Sequence, residues 1–287
     1  MSVERVIAPR RRSIGAADVD RLLPFHARRM VGPFIFADLI GPEELGPGRG
    51  ADVPPHPHIG LATVTYLFDG TMVHRDSTGA VQEIEPGGVN WMTAGSGVVH
   101  SERSPDDARP VTSTLAGLQT WVALPDESEE VEPSFQHAGA GELPAVSDGG
   151  VAVRLLVGTA FGTASPVPGA SPLFHADVHL DPGTRFALPP EHAERAVLVV
   201  DGEVQVAGEP IPLRHLAVVT EGDAVVRAGT AARVVTFGGA PVGQRHIWWN
   251  FVSSSKERIE AAKADWAGRR FAPVPGETER VELPGDS

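Results

Sequence analysis

The sequence predicts an all-β protein in which one sandwich or barrel architecture is used twice in tandem. Three observations carry this. Glycine (32 residues) and proline (26 residues) punctuate the chain at close intervals. The apolar runs between them are short and rich in Val, Thr and Leu, the pattern of many short strands. Past about Leu143 the chain also begins again. Thr220-Glu221-Gly222-Asp223-Ala224-Val225-Val226 lines up with Thr93-Ala94-Gly95-Ser96-Gly97-Val98-Val99, in order after matching Asp-Gly pairs at Asp69-Gly70 and Asp201-Gly202. This is the signature of a diverged internal repeat and divides the chain into residues 1–142 and 143–287.

Taken in order, a short helical stretch is expected over Ala16–Leu23, then a strand from Val31 to Ile40. Gly41 to Val53 is expected to be a loop; it lacks the Gly-Lys-Ser/Thr ending of a phosphate loop. Leu61 to Phe68 is a run of strong β-formers, and Asp69-Gly70 after it is a hairpin signal. Further strands are expected at Thr71–Arg75, Val81–Ile84, Val89–Thr93 and Leu118–Leu124, with turns at Asp76-Ser77-Thr78-Gly79 and Pro86-Gly87-Gly88. Pro125 to Pro133, with Asp126, Glu127, Glu129, Glu130 and Glu132, is expected to be an acidic surface loop. In the second half, Val151–Gly158, Leu173–Leu180, Ala196–Val200 and the aromatic run His246–Val252 are strand-like. Ser254 with Glu257 forms a candidate capping box for a helix over Lys256–Ala267. Glu279 to Leu283 is a last β-like piece.

Composition narrows the function classes. The chain has no cysteine, which removes disulfides, thiolate metal sites and cysteine nucleophiles. The net charge is −13, an acidic balance that repels phosphate backbones, so no direct nucleic-acid partner is expected. The N-terminal stretch Met1 to Arg12 has no apolar core of a secretory signal. No window approaches the roughly 18–20 apolar residues of a membrane span. A cytoplasmic protein with no membrane partner is expected, and a monomer.

The candidate chemistry lies between Pro54 and Glu102. His56 and His58 are spaced i, i+2, and so are His100 and Glu102. In an extended chain that spacing puts both side chains of a pair on one face, and Pro57 biases His56 towards extended backbone. If the two ends lie on neighbouring strands, three imidazoles and one carboxylate converge, a set suited to Fe(II), Ni, Zn or Mn. His74 reads as a strand residue bonded to Asp76 or to a carbonyl. Phe36, Leu61 and Met92 are candidates for the wall of a ring-binding cavity. His175, His179, His192, His215 and His246 are scattered singly and read as structural. In the second copy of the repeat Arg227 replaces His100 and Gly229 replaces Glu102. Counting back from Asp201-Gly202 places Leu188 and Pro190 opposite His56 and His58. One metal site per chain is therefore expected, in the first half.

These residues carry a resemblance. Pro55-His56-Pro57-His58-Ile59-Gly60, Thr63-Val64-Thr65-Tyr66-Leu67, His74-Arg75-Asp76-Ser77 and Trp91-Met92-Thr93-Ala94-Gly95-Ser96-Gly97-Val98-Val99-His100-Ser101-Glu102 together resemble the pirin family of bicupins. So do the flanking Val31-Gly32-Pro33-Phe34 and Trp249-Asn250-Phe251-Val252. The resemblance implies two tandem cupin (jelly-roll) β-barrels with a short C-terminal helix and tail. Residues 1–142 would be a metal-binding cupin domain and residues 143–287 a degenerate one. It implies one mononuclear iron, Fe(II), with His56, His58, His100 and Glu102 as metal ligands; Ni, Mn, Cu or Zn are alternatives. Several members open the flavonol quercetin with O2, releasing carbon monoxide, and others are described as iron-dependent co-regulators. The expected function is accordingly a dioxygenase acting on a small aromatic substrate such as a flavonol, with Glu102 as catalytic base. The alternative is a non-catalytic, iron-binding, redox-sensing regulatory protein with a protein partner. One departure stands out: many relatives carry Glu at the position of Ala62.

Overall fold

The structure, a computed structural model, describes residues 3–14, 17–220, 222 and 224–285. It is dominated by β-strands, with one α-helix among the described residues, Lys256–Ala267. By contact the chain divides into two compact units that are discontinuous in sequence. One comprises Met1–Arg11, Asp20–Leu39 and Ala140–Val242; the other comprises Arg12–Val19, Ile40–Gly139 and Gly243–Ser287. This division by contact differs at both ends of the chain from the division by repeat.

The second of these units holds the His-rich stretch. A four-stranded antiparallel sheet runs in the order Val53–His58, Val98–Arg103, Met72–Asp76, Val81–Ile84. The larger sheet of the unit contains Ser134–Ala138, Val89–Thr93, Leu61–Asp69 and Ser113–Ala123, in that order. The chain passes back and forth between the two sheets, as in a jelly roll. Asp69-Gly70 therefore does not close a hairpin. It hands the chain from the Leu61–Asp69 strand to Met72–Asp76 in the other sheet. The turn after Asp76 does close one, because Met72–Asp76 and Val81–Ile84 are paired.

The other unit repeats the plan. Its small sheet runs Arg185–Ala187, Val225–Ala228, Val204–Val206, Glu209–Ile211. Its large sheet begins with Arg5–Ile7 beside Leu216–Val219 and continues through Glu194–Asp201, Ala232–Gly239, Leu173–Leu180 and Val151–Ala160. Val178, Val197, Val199, Val226 and Val234 fill the interior, each contributing about 1.5–3 kcal/mol by leaving water. Register corrects the alignment of the two copies. Arg227 lies across from Arg185 and Val225 from Ala187, whereas His100 lies across from His56 and Val98 from His58. Burial sets the facing: Arg185, Ala187 and Arg227 are exposed, whereas Phe186, Leu188, Val226 and Ala228 point into the interior, with Phe186 across from Val226. Phe186 and Leu188, not Leu188 and Pro190, thus occupy the positions of His56 and His58, and Val226 and Ala228, not Arg227 and Gly229, those of His100 and Glu102. Glu221 and Asp223 of the repeat lie outside the described residues.

Several local expectations give way to packing. Ala17–Leu23 is a strand, not a helix; Ala16 lies outside the described residues. The strand Phe34–Leu45 runs on through the start of the expected loop. In the acidic segment Asp126–Ser128 is a turn of 3-10 helix, and Glu129 is buried, accepting from Ser253 Oγ (3.0 Å) and the Ser254 amide (2.7 Å) and paired with Arg245. Ser254 is thereby engaged, and the helix cap is Ser255, whose Oγ accepts from the Arg258 amide at 3.2 Å. The aromatic run is two short paired strands, His246–Trp248 and Phe251–Ser253. Residues 279–283 form no strand.

Two positions are tightly determined. Gly60 lies two residues after His58 with φ +65°, and a Cβ there would lie 2.0 Å from the Val252 carbonyl oxygen. Gly60→Ala is expected to cost on the order of 2 kcal/mol or more, read as a lower midpoint in urea. His175 is fully buried, packed edge-on against Phe34 and Phe237, and neither ring nitrogen has a hydrogen-bond partner among the described residues. Burial pushes its pKa down to about 3, against the pull of Asp177. A depressed folded-state value means that the unfolded chain binds the proton more readily. The stability His175 retains at neutral pH is therefore lost as pH falls from about 6.5 towards 3, at a slope on the order of 1 kcal/mol per pH unit. Thermal unfolding of His175→Leu across that range should show a shallower acid limb than the parent.

Candidate metal centre

The small sheet explains how residues far apart in sequence meet. His100 is the cross-strand partner of His56 on one side and of Asp76 on the other, and Glu102 is the partner of His74. Paired residues share a face and successive residues alternate. His56, His58, His100, Glu102, His74 and Asp76 thus form one polar patch on the inner face. The i, i+2 expectation holds, although the pairing of the His100 strand with the His56 strand is irregular between His100 and Glu102. The possible ligand atoms of His56, His58 and His100 all lie within 4.8 Å of one another, and all three residues are buried. Among the described residues no second such group occurs. Glu102 shares the face but is not part of that cluster.

Each ring is anchored through Nδ1. That of His56 donates to the Pro54 carbonyl (2.9 Å) and that of His58 to the Asn250 carbonyl (3.1 Å). His100 is anchored by a relay. The Asp76 carboxylate accepts from His74 Nε2 at 2.9 Å, which leaves His74 Nδ1 to accept from His100 Nδ1 at 3.4 Å. All three Nε2 lone pairs are then left for the interior. His100 Nε2 is buried and has no hydrogen-bond partner among the described residues, a position that costs free energy unless something occupies it. Burial is the largest influence on the three rings. It lowers the pKa of His56 and takes His58 and His100 well below the ordinary value. Neutral imidazole is the ligating form. Burial alone would raise Asp76, but its bonds from His74 and Thr78 outweigh that and hold the carboxyl low. A nitrogen-rich, sulfur-free set with outer nitrogens held by carbonyls and a carboxylate fits a borderline divalent metal.

The facing sheet completes the surroundings, and this part was not foreseen. Gln119 Nε2 (2.7 Å) and Thr65 Oγ1 (3.3 Å) both donate to Glu102 Oε1. Trp121 meets the His58 ring edge-on at 5.0 Å between centroids, and Phe135 stacks on His74 at 4.4 Å. Pairing places Phe135, Met92, Thr63 and Trp121 in one row across that sheet, so Met92 is on the wall as expected. Leu61 has the same parity as Thr63. Phe36 belongs to the other unit, under the Arg21 guanidinium. Alternation along Gln119-Thr120-Trp121 was the available signal, but alternation alone does not reveal which face is inner. Ala62 is buried and points to the side opposite Thr63. A carboxylate there would not face the three histidines, so the alanine removes no ligand.

Replacing His74 with Phe keeps a ring for Phe135 but removes the acceptor for His100. Metal affinity should fall about 10- to 100-fold with the fold retained, as read by calorimetric titration of the metal-free protein with Ni(II).

Comparison with known proteins agrees with this geometry. The family described as Pirin matches residues 16–122, and the Pirin C-terminal cupin domain matches residues 175–272. A pirin-like protein of Caulobacter vibrioides is 50% identical over 98% of this chain and 99% of its own length. Human pirin is 33% identical over 92% of this chain and 88% of its own. The crystal structure of quercetin 2,3-dioxygenase from Acinetobacter baumannii superposes with a TM-score of 0.90 at 34% identity, covering 99% of this chain and 95% of that one. With two jelly rolls, one converging histidine triad and matches along both halves, the chain belongs to the pirin family.

Proposed function

We propose that this protein is a metal-dependent dioxygenase that opens a flavonol ring of the quercetin type with O2. One Fe(II) would be held by His56, His58, His100 and Glu102; Ni, Mn, Cu or Zn share this donor preference. The observation that carries the reading is the convergence of three buried neutral imidazoles, with His100 Nε2 left unpartnered at the centre. Similarity along the whole chain to a structure named quercetin 2,3-dioxygenase supports the substrate class. When bound, the metal would supply a Lewis-acidic point that holds a hydroxyl oxygen and O2 in reach of each other.

The remaining roles fall to the chain. Glu102 takes the flavonol 3-hydroxyl proton at Oε2, while Gln119 and Thr65 hold Oε1 and fix the carboxylate plane. Loss of that proton makes the ring electron-rich and open to attack by oxygen. Trp121 and Phe135 offer flat apolar surface to an aromatic ring, and with Met92 beside them keep water from the reacting face. A monomer in the cytoplasm, with no nucleic-acid or membrane partner, goes with this reading. No helix among the described residues is long and apolar enough to cross a membrane.

The burial of the site favours a second reading. His100 is wholly buried and Glu102 is 6% exposed, which suits a closed iron-binding sensor that acts through a protein partner. Anaerobic mixing of iron-loaded protein with quercetin separates the two. The first reading expects a shifted flavonol absorbance, then oxygen uptake and carbon monoxide on admitting air. Glu102→Gln should lower kcat/KM about 100-fold or more. No shift and no oxygen uptake by the loaded parent protein would overturn the reading for this substrate and favour the sensor.

A further inference from the structure

The outer face of the ligand-bearing strands is occupied by the end of the chain. Residues alternating with the ligands point away from the metal side. Ile59, next to His58, and Val99, next to His100, pack with Phe251, Ile259, Ala262, Trp266 and Val274. Ser101, between His100 and Glu102, donates its hydroxyl to the Glu277 carboxylate. Arg103, just past Glu102, donates to the same carboxylate at 2.5 Å and to Glu279 at 2.9 Å. The Val281 amide donates to the Pro55 carbonyl beside His56 (2.8 Å), and the Val281 carbonyl accepts from Trp266 Nε1 (3.0 Å). The Asn250 carbonyl that anchors His58 belongs to the same segment.

Glu277 grips the strand where its own ladder is weakest. Pairing to the His56 strand is irregular between His100 and Glu102, and an irregularity of this kind lets a strand re-aim its side chains. Ser101 lies at that point, and Glu277 holds it from behind. We propose that Glu277 is a positioning residue for the metal centre: by clamping Ser101 and Arg103 on the outer face, it fixes how His100 and Glu102 are presented on the inner one. Metal binding and docking of residues 274–283 then stabilise each other, because coupling between two sites is reciprocal. The inference rests on the metal reading above but not on any catalytic activity.

The test uses the full-length, metal-free protein with Ni(II) as probe. Glu277→Ala should weaken Ni(II) binding about 10-fold, the lower end of what supporting residues contribute. Glu277→Gln, which keeps an acceptor for Ser101, should recover part of the loss. Glu279→Ala, which removes a 63% exposed carboxylate from the same arginine, should bind as the parent does. Parent-like affinity in Glu277→Ala overturns the proposal. Should that variant fail to fold, hydrogen exchange on the parent decides. The Val281 amide and residues 98–103 should exchange more slowly with Ni(II) bound, and equal exchange with and without metal overturns it. A parent protein that takes up neither Ni(II) nor Fe(II) overturns the metal reading itself.

Discussion

Three imidazoles buried side by side are the constraint on which the rest of this unit depends. Desolvation keeps them neutral, and a neutral imidazole in a dry place must still satisfy two nitrogens. The fold does so by giving every Nδ1 an outside partner: the Pro54 carbonyl, the Asn250 carbonyl and the His74 ring backed by Asp76. What remains is three Nε2 atoms turned to the interior, that of His100 buried with no hydrogen-bond partner among the described residues. The cross-strand pairing of His56 with His100, the turn at Gly60 and the relay through His74 all serve that arrangement.

Much of this was legible in the sequence, because it follows from period two. The i, i+2 spacing of His56 with His58 and of His100 with Glu102 fixed a shared face, and the ordered motifs pointed to the pirin fold. Less legible was anything that depends on which strand lies in which sheet. Asp69-Gly70 has the chemistry of a hairpin turn, yet a turn residue sets only local backbone, and here the following strand joins the opposite sheet. Glu129 sits in an acidic run, and nothing local says that Arg245, more than a hundred residues later, will bury it. Gln119 and Thr65 look like ordinary strand polars until the facing sheet brings them onto Glu102. Counting from a turn also misplaced the second-copy equivalents of the histidines by two residues. Turn-to-strand distances drift in a diverged repeat, whereas ladder register does not.

The unit without the histidine triad shows the architecture with no such donor set. Phe186, Leu188, Val226 and Ala228 stand there where the four candidate ligands stand in the His-rich unit, and the sheets keep their order. The jelly roll is therefore held by its apolar interior, with Val178, Val197 and Val234 among its members, and not by coordination. The metal-side chemistry is grafted onto a frame that stands by itself. This is why the resemblance identifies the frame more firmly than the reaction.

The discontinuity of the units has a consequence for how the protein is made. A ribosome delivers His56, His58 and His100 early, but Asn250 and the stretch up to Val281 that back these strands emerge well over a hundred residues later. A nascent chain halted before residue 250 would present the histidines with one ring unanchored and the rear of their sheet bare. Maturation of the centre is therefore expected to wait until the chain through Val281 has been made, whatever the order in which the barrels collapse.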